Sequence, residues 1–548
     1  MADRQSLISS DAVLVHAYRS LLTQAPDSAV ILGLLAQALY DAGDYQGAVE
    51  AADEALGIDP GLVDARQTRA AALQALCDFG AAAADFTLVA AAQPDRIGVQ
   101  INRAIAYAES DRPGEAVACL HGLIARHPDC AAAYAVLGSI HARFEAVGEA
   151  LAACRQAVAL DPDQIIAHRN LAALLLDEHP AEALRHEAAA YRQQQVFVPA
   201  MPPLARRVLV LTCGAAASVP LAHLLPRPRY AQIQWFIDYA RPEQDRMLPD
   251  HDLIFNAIGD PDLMPALAAP VRRLLQETTR PILNHPDRVG QTQRSALPGM
   301  MAGLPDIVVP QVIRLGRGDD AALTIARPPT TARPVIVRPI GSHGGSGLVK
   351  ASSVAEIAAV LARHDAVYVT DFVEYRRADD GLYRKYRMIF VDRVPYPYHL
   401  AIARDWLVHY WTAGMADAPA RRAEEERFLN DPAGTLGERG LAAVTAIGAR
   451  LDLDYAGIDF SLLPDGRVLV FEANATMLVH PETEPMFAYK NPAVTRILTA
   501  VDRMVTDRLA FRDDTRQRSG AGHSGILPET VATRLDARFH QSALGSRL

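Results

Sequence analysis

Through the first third of the chain, small apolar residues fall at helical spacing and return at a fixed interval. Ala36, Ala70, Ala104 and Gly138 share one position, and Ala48, Ala82, Ala116 and Ala150 another, each set spaced by thirty-four residues. Pro26, Pro60, Pro94, Pro128 and Pro162 keep the same interval. Polar residues fill the gaps, so each interval predicts two amphipathic helices, closed by a proline that cannot continue a helix. The small residues let the paired helices approach, and Tyr40, Tyr107 and Tyr134 supply bulk. Four full units span about residues 27–162, Tyr18 lies in a leading helix, and a degenerate fifth unit carries Asn170, Ala172 and Ala183.

Beyond Val198-Pro199-Ala200-Met201-Pro202-Pro203 the pattern changes to short apolar runs. Arg207–Thr212, Ile233–Ile237 and His251–Ala257 predict strands, with a helix at about Val219–Leu225. Ligands of open α/β sheets bind at the carboxyl ends of strands, which makes Asn256 and Asp260 substrate-side candidates. Tyr383–Val391 and Tyr396–Ile402 flank a turn at Asp392-Arg393, and Trp406, His409, Tyr410 and Trp411 follow. Ile458–Leu462 and Val468–Asn474 flank Pro464-Asp465-Gly466 and predict a hairpin.

That last hairpin carries the most chemistry. Asp459 lies on one strand; Glu472 and Asn474, two residues apart, lie on one face of the other. Two carboxylates and an amide oxygen are hard ligands suited to Mg²⁺, which completes its shell with water and phosphate. Upstream, the strand Arg333–Pro339 puts Ile336 and Arg338 on one face and runs into Gly341-Ser342-His343-Gly344-Gly345-Ser346-Gly347. Backbone N–H groups of such a loop can approach phosphate closely. Lys385 and Arg387 likewise share a face.

Over about residues 208–509 this combination resembles the ATP-grasp superfamily. The resemblance implies ATP and one or two Mg²⁺ (Mn²⁺ an admissible substitute), with Asp459, Glu472 and Asn474 as metal ligands. Arg338 and Arg294 would clamp phosphate, Ile336 would contact adenine, and the loop including Ser342, His343, Gly344, Gly345, Ser346 and Gly347 would close over the phosphates. The adenine hinge falls at Val369-Thr370-Asp371-Phe372-Val373, and Glu374 is the candidate ribose ligand. Lys385 and Arg387 would face the terminal phosphate, and His399 would orient substrate or accept a proton, with His409 a second candidate. Three departures stand out: both phosphate positions are Arg, the hinge lacks the usual acidic pair, and Lys385 replaces an acid found in related glutamate ligases. The first-third period matches the tetratricopeptide repeat. The fold expected is therefore an all-α tetratricopeptide solenoid followed by an α/β ATP-grasp fold with a preceding α/β subdomain. Expected boundaries are 1–198, 204–288, 289–510 and a mobile polar tail at 511–548.

Such solenoids hold extended segments of other proteins on a concave face. Gln37, Asp41, Gln67, Gln74, Asn102, Glu109, Arg169 and Asn170 are candidates there, and Glu424-Glu425-Glu426 reads as a solvated helix face. At 548 residues one core is not expected. A net charge of −10 argues against a general nucleic-acid binder, and no apolar run reaches membrane-helix length. Cys77, Cys119, Cys130, Cys154 and Cys213 show no Cys-x-x-Cys spacing; with no secretory pattern at the N-terminus, a cytoplasmic protein with reduced thiols is expected. Cys213 has no evident His partner and reads as a buried thiol.

The implied function is an ATP-dependent ligase that joins a carboxylate to an amine, thiol or hydroxyl through an acyl phosphate. One substrate would be a small-molecule carboxylate or amine, and a peptide, protein or natural product would be recruited by the repeats; a homodimer is compatible with the sequence. Two alternatives stand beside it: an ATP-grasp-type kinase, and a nucleotide-gated tetratricopeptide adaptor.

Overall fold

The computed structural model describes residues 10–516, apart from 177, 200–204, 215–218, 220, 228, 320–328, 342–346 and 476. The described chain separates into two compact units, one holding residues up to 210 together with 225–252, the other 211–224 together with 253 onward.

In the first unit, Ser10–Leu22 precedes five helix pairs, from Ala29–Asp41 with Tyr45–Ile58 to Ile165–Leu175 with Pro180–Gln193. The repeat is visible in individual side chains. Ala36, Ala48, Ala70, Ala82, Ala104, Ala116 and Ala150 are all fully buried where helices meet. Gly138 replaces alanine for a local reason: a Cβ there would lie 2.3 Å from Cys154 Sγ. Asp44 and Asp78, one repeat apart, cap their helices by accepting from the backbone N–H groups of Gly47 and Ala81. The turn inside each full pair has a left-handed residue at one position, namely Gly43, Cys77, Asp111 and Glu145.

Three concave-face candidates are buried. The Arg169 guanidinium lies 4.2 Å over the Phe197 ring, faces Tyr191 and Phe236, and donates to Gln234 at 3.2 Å. Asn170 donates to Ser139 Oγ at 2.7 Å, and Gln74 is 1% exposed. Arg169 is covered by residues that come later in the chain. Strand β1 (Val196–Phe197) supplies part of that cover and pairs antiparallel with β3 (Tyr230–Phe236), which lies beside β2 (Arg206–Thr212).

The second unit contains a parallel pair, β4 (Leu253–Asn256) and β5 (Ile282–Leu283). The helix expected at 219–225 does not form among its described residues, which adopt turns between Pro220 and Pro226. Asn256 is fully buried and structural: its amide donates to Asn284 O at 3.0 Å and accepts from Ile258 N at 3.2 Å. Asn284, at φ 54°, in turn donates to and accepts from the backbone of Tyr455, and its own N–H donates to the Asp454 carboxylate at 2.8 Å.

Two larger sheets follow. The first contains β7 (Val312–Gly316), β8 (Val335–Pro339), β9 (Val349–Ala351) and β10 (Ala366–Asp371) in the order β7-β10-β8-β9. One face, with Val335, Val337, Val367 and Val369, packs on Ile357, Val360 and Leu361 of the helix Val354–Leu361. The second contains β6 (Ile307–Val308), β11 (Tyr383–Val391), β12 (Val394–Ala403), β13 (Tyr455–Leu462) and β14 (Val468–Asn474) in the order β12-β11-β13-β14-β6. Gly466 at φ 83° turns β13 into β14. The helices Pro419–Asn430, Pro432–Leu451 and Asn491–Arg516 pack against β12.

Glu425 is not on a solvated face. It is fully buried and accepts from Leu400 N, Tyr410 Oη and Tyr489 Oη at 3.1, 3.0 and 2.5 Å. Glu424 pairs with Arg384 at 2.6 Å. The last helix continues through Arg516, past the expected start of the tail; the rest of the tail lies outside the described residues. No helix among the described residues is long and apolar enough to cross a membrane.

Candidate functional site

Strand order in the five-stranded sheet creates a single cross-strand row. His399 faces Arg387, Arg387 faces Asp459, and Asp459 faces Glu472. Directly opposed side chains on one face lie within contact distance. Arg387 forks onto Asp459 at 2.7 and 3.0 Å, and Lys385 reaches the same carboxylate at 3.2 Å. The other acid, Glu472, pairs with Arg294 and lies 3.5 Å from Arg338. Four cations thus surround two carboxylates.

Burial makes these charges costly, and their neighbours decide which survive. Burial pushes Glu472 upward, but Arg294 and Arg338 more than reverse it and bring its carboxyl down to about 2. For Asp459 burial again acts upward, while Arg387 and Lys385 hold it below the ordinary carboxylate range. Burial works against the Arg387 cation, and Asp459 restores it above its ordinary value. Arg338 goes the other way: burial and then Arg294 lower it, with Glu472 opposing. Burial, then Arg387 and Lys490, push His399 far below its usual range, so the ring is neutral. Among the described residues its buried Nε2 has no hydrogen-bond partner, and the ring stacks on Tyr410 with centroids 4.8 Å apart.

Asn474 stands two residues beyond Glu472 and opposite Gly457. Both acids are ionised and adjacent, so the oxygen donors fit a divalent ion. Among the described residues no three His, Cys, Asp or Glu side chains gather as a metal site, and a divalent ion here would have to draw its third protein ligand from Asn474. A set this small suits an ion that takes its other ligands from phosphate and water.

The open face of the four-stranded sheet carries the remaining candidates. Ile336 and Arg338 are half-buried between the buried Val335, Val337 and Pro339. Tyr368 lies opposite Arg338, and Thr370 opposite Ile336. Gly341 and Gly347 both adopt positive φ, which eases the backbone into and out of the loop. Ser342, His343, Gly344, Gly345 and Ser346 lie outside the described residues. At the hinge, β10 ends with Asp371, which is exposed. The N–H of Phe372 donates to Pro334 O at 3.0 Å; Val373 is half-buried. Glu374 accepts from Arg376 N and Tyr383 Oη at 3.0 and 3.3 Å. Sequence reasoning missed Lys350, opposite Ile336 on β9, although its parity with Ile336 across the loop is a strand signal. It also missed Lys490, a buried cation paired with Glu482 and 4.2 Å over the Tyr410 ring.

The tetratricopeptide repeat family profile matches residues 15–63 and 101–165. YrrB, a tetratricopeptide protein with an unusual peptide-binding site, is 17% identical and covers 33% of this chain and 93% of its own, at a TM-score of 0.28. D-alanine–D-alanine ligase from Coxiella burnetii is 12% identical and covers 57% of this chain and 99% of its own, at a TM-score of 0.34. The Bacillus anthracis enzyme is 15% identical, with 57% and 100% coverage and a TM-score of 0.35. No curated protein sequence matches the chain. With its helix pairs, its thirty-four-residue register and the profile match in agreement, the N-terminal region of this chain is built of tetratricopeptide repeats.

Proposed function

We propose that the α/β part is an ATP-dependent ligase of the ATP-grasp type. The observation that carries this reading is the row of four cations on two ionised, buried acids. Cations gathered beside adjacent hard-oxygen donors suit a polyanion that brings a divalent cation with it. A nucleoside triphosphate with Mg²⁺ meets that demand.

Arg338 and Arg294 hold the phosphates, and Ile336 lies against the base. Asp459, Glu472 and Asn474 would hold the ion, which would neutralise charge on the phosphates. In the reaction a substrate carboxylate oxygen attacks the γ-phosphorus and ADP leaves with the bridging oxygen. A second substrate, an amine, then attacks the acyl carbon; phosphate departs and the amine loses its proton. Arg387 and Lys385 stabilise the transferring phosphoryl group and the oxyanion. Neutral His399 orients the nucleophile or accepts its proton. The repeats hold the macromolecular substrate, a peptide or protein segment.

Calorimetric titration with a non-hydrolysable ATP analogue and Mg²⁺ tests the reading. Wild-type binding should weaken in Arg338→Ala by about 1.5–3 kcal/mol, the worth of a charge-assisted contact. Arg338→Lys should recover part of it. Equal affinity in folded Arg338→Ala would overturn the phosphate assignment.

A further inference from the structure

We infer that Lys350 binds the phosphate next to the ribose, and that the Phe372 ring holds its ammonium until a nucleotide arrives. The inference rests on the nucleotide reading of this face but concerns a residue that reading does not use. Lys350 lies directly opposite Ile336, so it shares the open face with Ile336 and Arg338. Its neighbours on β9 are Val349, half-buried against the apolar core, and Ala351, buried within it. A lysine on the other face therefore points where the ligand lies. Its Nζ is 3.5 Å from the centre of the Phe372 ring and 5.8 Å from that of Trp406, and the two rings meet edge to face. Among the described residues Lys350 has no carboxylate partner, in contrast to Arg294, Arg338, Lys385 and Arg387.

Position along the strand assigns the phosphate. Arg338 is two residues beyond Ile336, so Lys350 and Arg338 are diagonal neighbours, roughly 7–8 Å apart. A triphosphate bridges such a gap. If Ile336 touches the base, Lys350 is at the ribose end of the chain and Arg338 at the outer end. A charge-assisted bond to phosphate exceeds a cation–π contact by about tenfold in equilibrium, so the ammonium leaves the ring when phosphate is present. Phe372, within the hinge, thereby senses occupancy.

The test is titration of the full chain with adenosine, AMP, ADP and ATP. Lys350→Met should weaken AMP, ADP and ATP by a common factor of about ten or more and leave adenosine unchanged. Lys350→Arg should restore most of the AMP affinity. Arg338→Ala should weaken ATP far more than AMP. In the wild type, AMP should change the emission of Trp406, read in a Trp235→Phe, Trp411→Phe background, and Lys350→Met should abolish that change. Unchanged AMP and ATP affinity in Lys350→Met would overturn the inference while leaving the nucleotide site standing. An equal loss for adenosine would also overturn it, since the contact would be to the base. If the wild type binds none of the four, the nucleotide reading itself falls, and this inference with it.

Discussion

Asp459 is the residue on which the site turns. It is almost wholly buried and answers two cations at once, Arg387 and Lys385. Asp459→Asn leaves both without an anion in a desolvated row. Breaking a buried pair by removing one partner costs about 3–5 kcal/mol. The lower end is expected here, because Lys385 and Arg387 keep 17% and 20% of their side-chain surface exposed. Thermal melting of the variant should show this loss, and a melt within about 0.5 kcal/mol of wild type would mean that the pairs contribute little. The same row fixes a pH response. Glu472 and Asp459 have folded values below their unfolded ones, so their contribution is complete above the ordinary carboxylate range. It is lost as pH falls from about 4.5 toward 2. Stability should therefore decline through that window, with a shallower slope in Asp459→Asn, which has one fewer acid to titrate. The sequence disclosed these acids and cations one by one. It did not disclose who pairs with whom, because that depends on β11 lying between β12 and β13.

At the scale of the element, repetition made the helices legible, and small residues at fixed offsets gave their contact surfaces. The turns between them were not legible. Gly43, Cys77, Asp111 and Glu145 occupy one left-handed position, and only the first is a glycine. Side-chain polarity gives no hint that Cys77 or Glu145 must adopt positive φ. A left-handed backbone costs a residue with a Cβ about 1–2 kcal/mol, partly offset by the greater unfolded-state freedom of glycine. Glu145→Gly and Cys77→Gly should each stabilise the repeats by about 0.5–1 kcal/mol, measured as a rise in the melting temperature followed by helical circular dichroism. A fall in both would show that the side chains contribute more than the backbone strain costs. Glu425 escaped for a related reason. A Glu-Glu-Glu run looks solvated in one dimension, but packing of its helix on β12 turns the middle residue inward to Tyr410 and Tyr489. Arg169 was misread because the residues of β1 and β3 that cover it come later in the chain, and Asn170 because it turns back to Ser139 of the preceding repeat.

For the whole molecule, the change from a thirty-four-residue period to short alternating runs made the order of architectures readable: repeats first, sheets after. The sheet orders and the burial of Asn256 were beyond it, since both depend on partners far along the chain. That distance has a consequence for how the chain acquires its structure. Each repeat closes on its neighbours, as in the Thr68–Gln37 and Asn170–Ser139 bonds, both spanning 31 residues. The second unit must instead bring Asn284 to Tyr455, a separation of 171 residues, before its buried amide is satisfied. Chains rich in local contacts fold orders of magnitude faster than those that must first close long loops. On refolding from denaturant, amides of residues 29–160 should gain protection from hydrogen exchange well before those of β13 and β14. Simultaneous protection would show a single cooperative event. In synthesis, the helical pairs would thus be formed while the strands that complete the row at Asp459 and Glu472 are still being made, leaving the α/β half as the slow and aggregation-exposed stage of the protein's life.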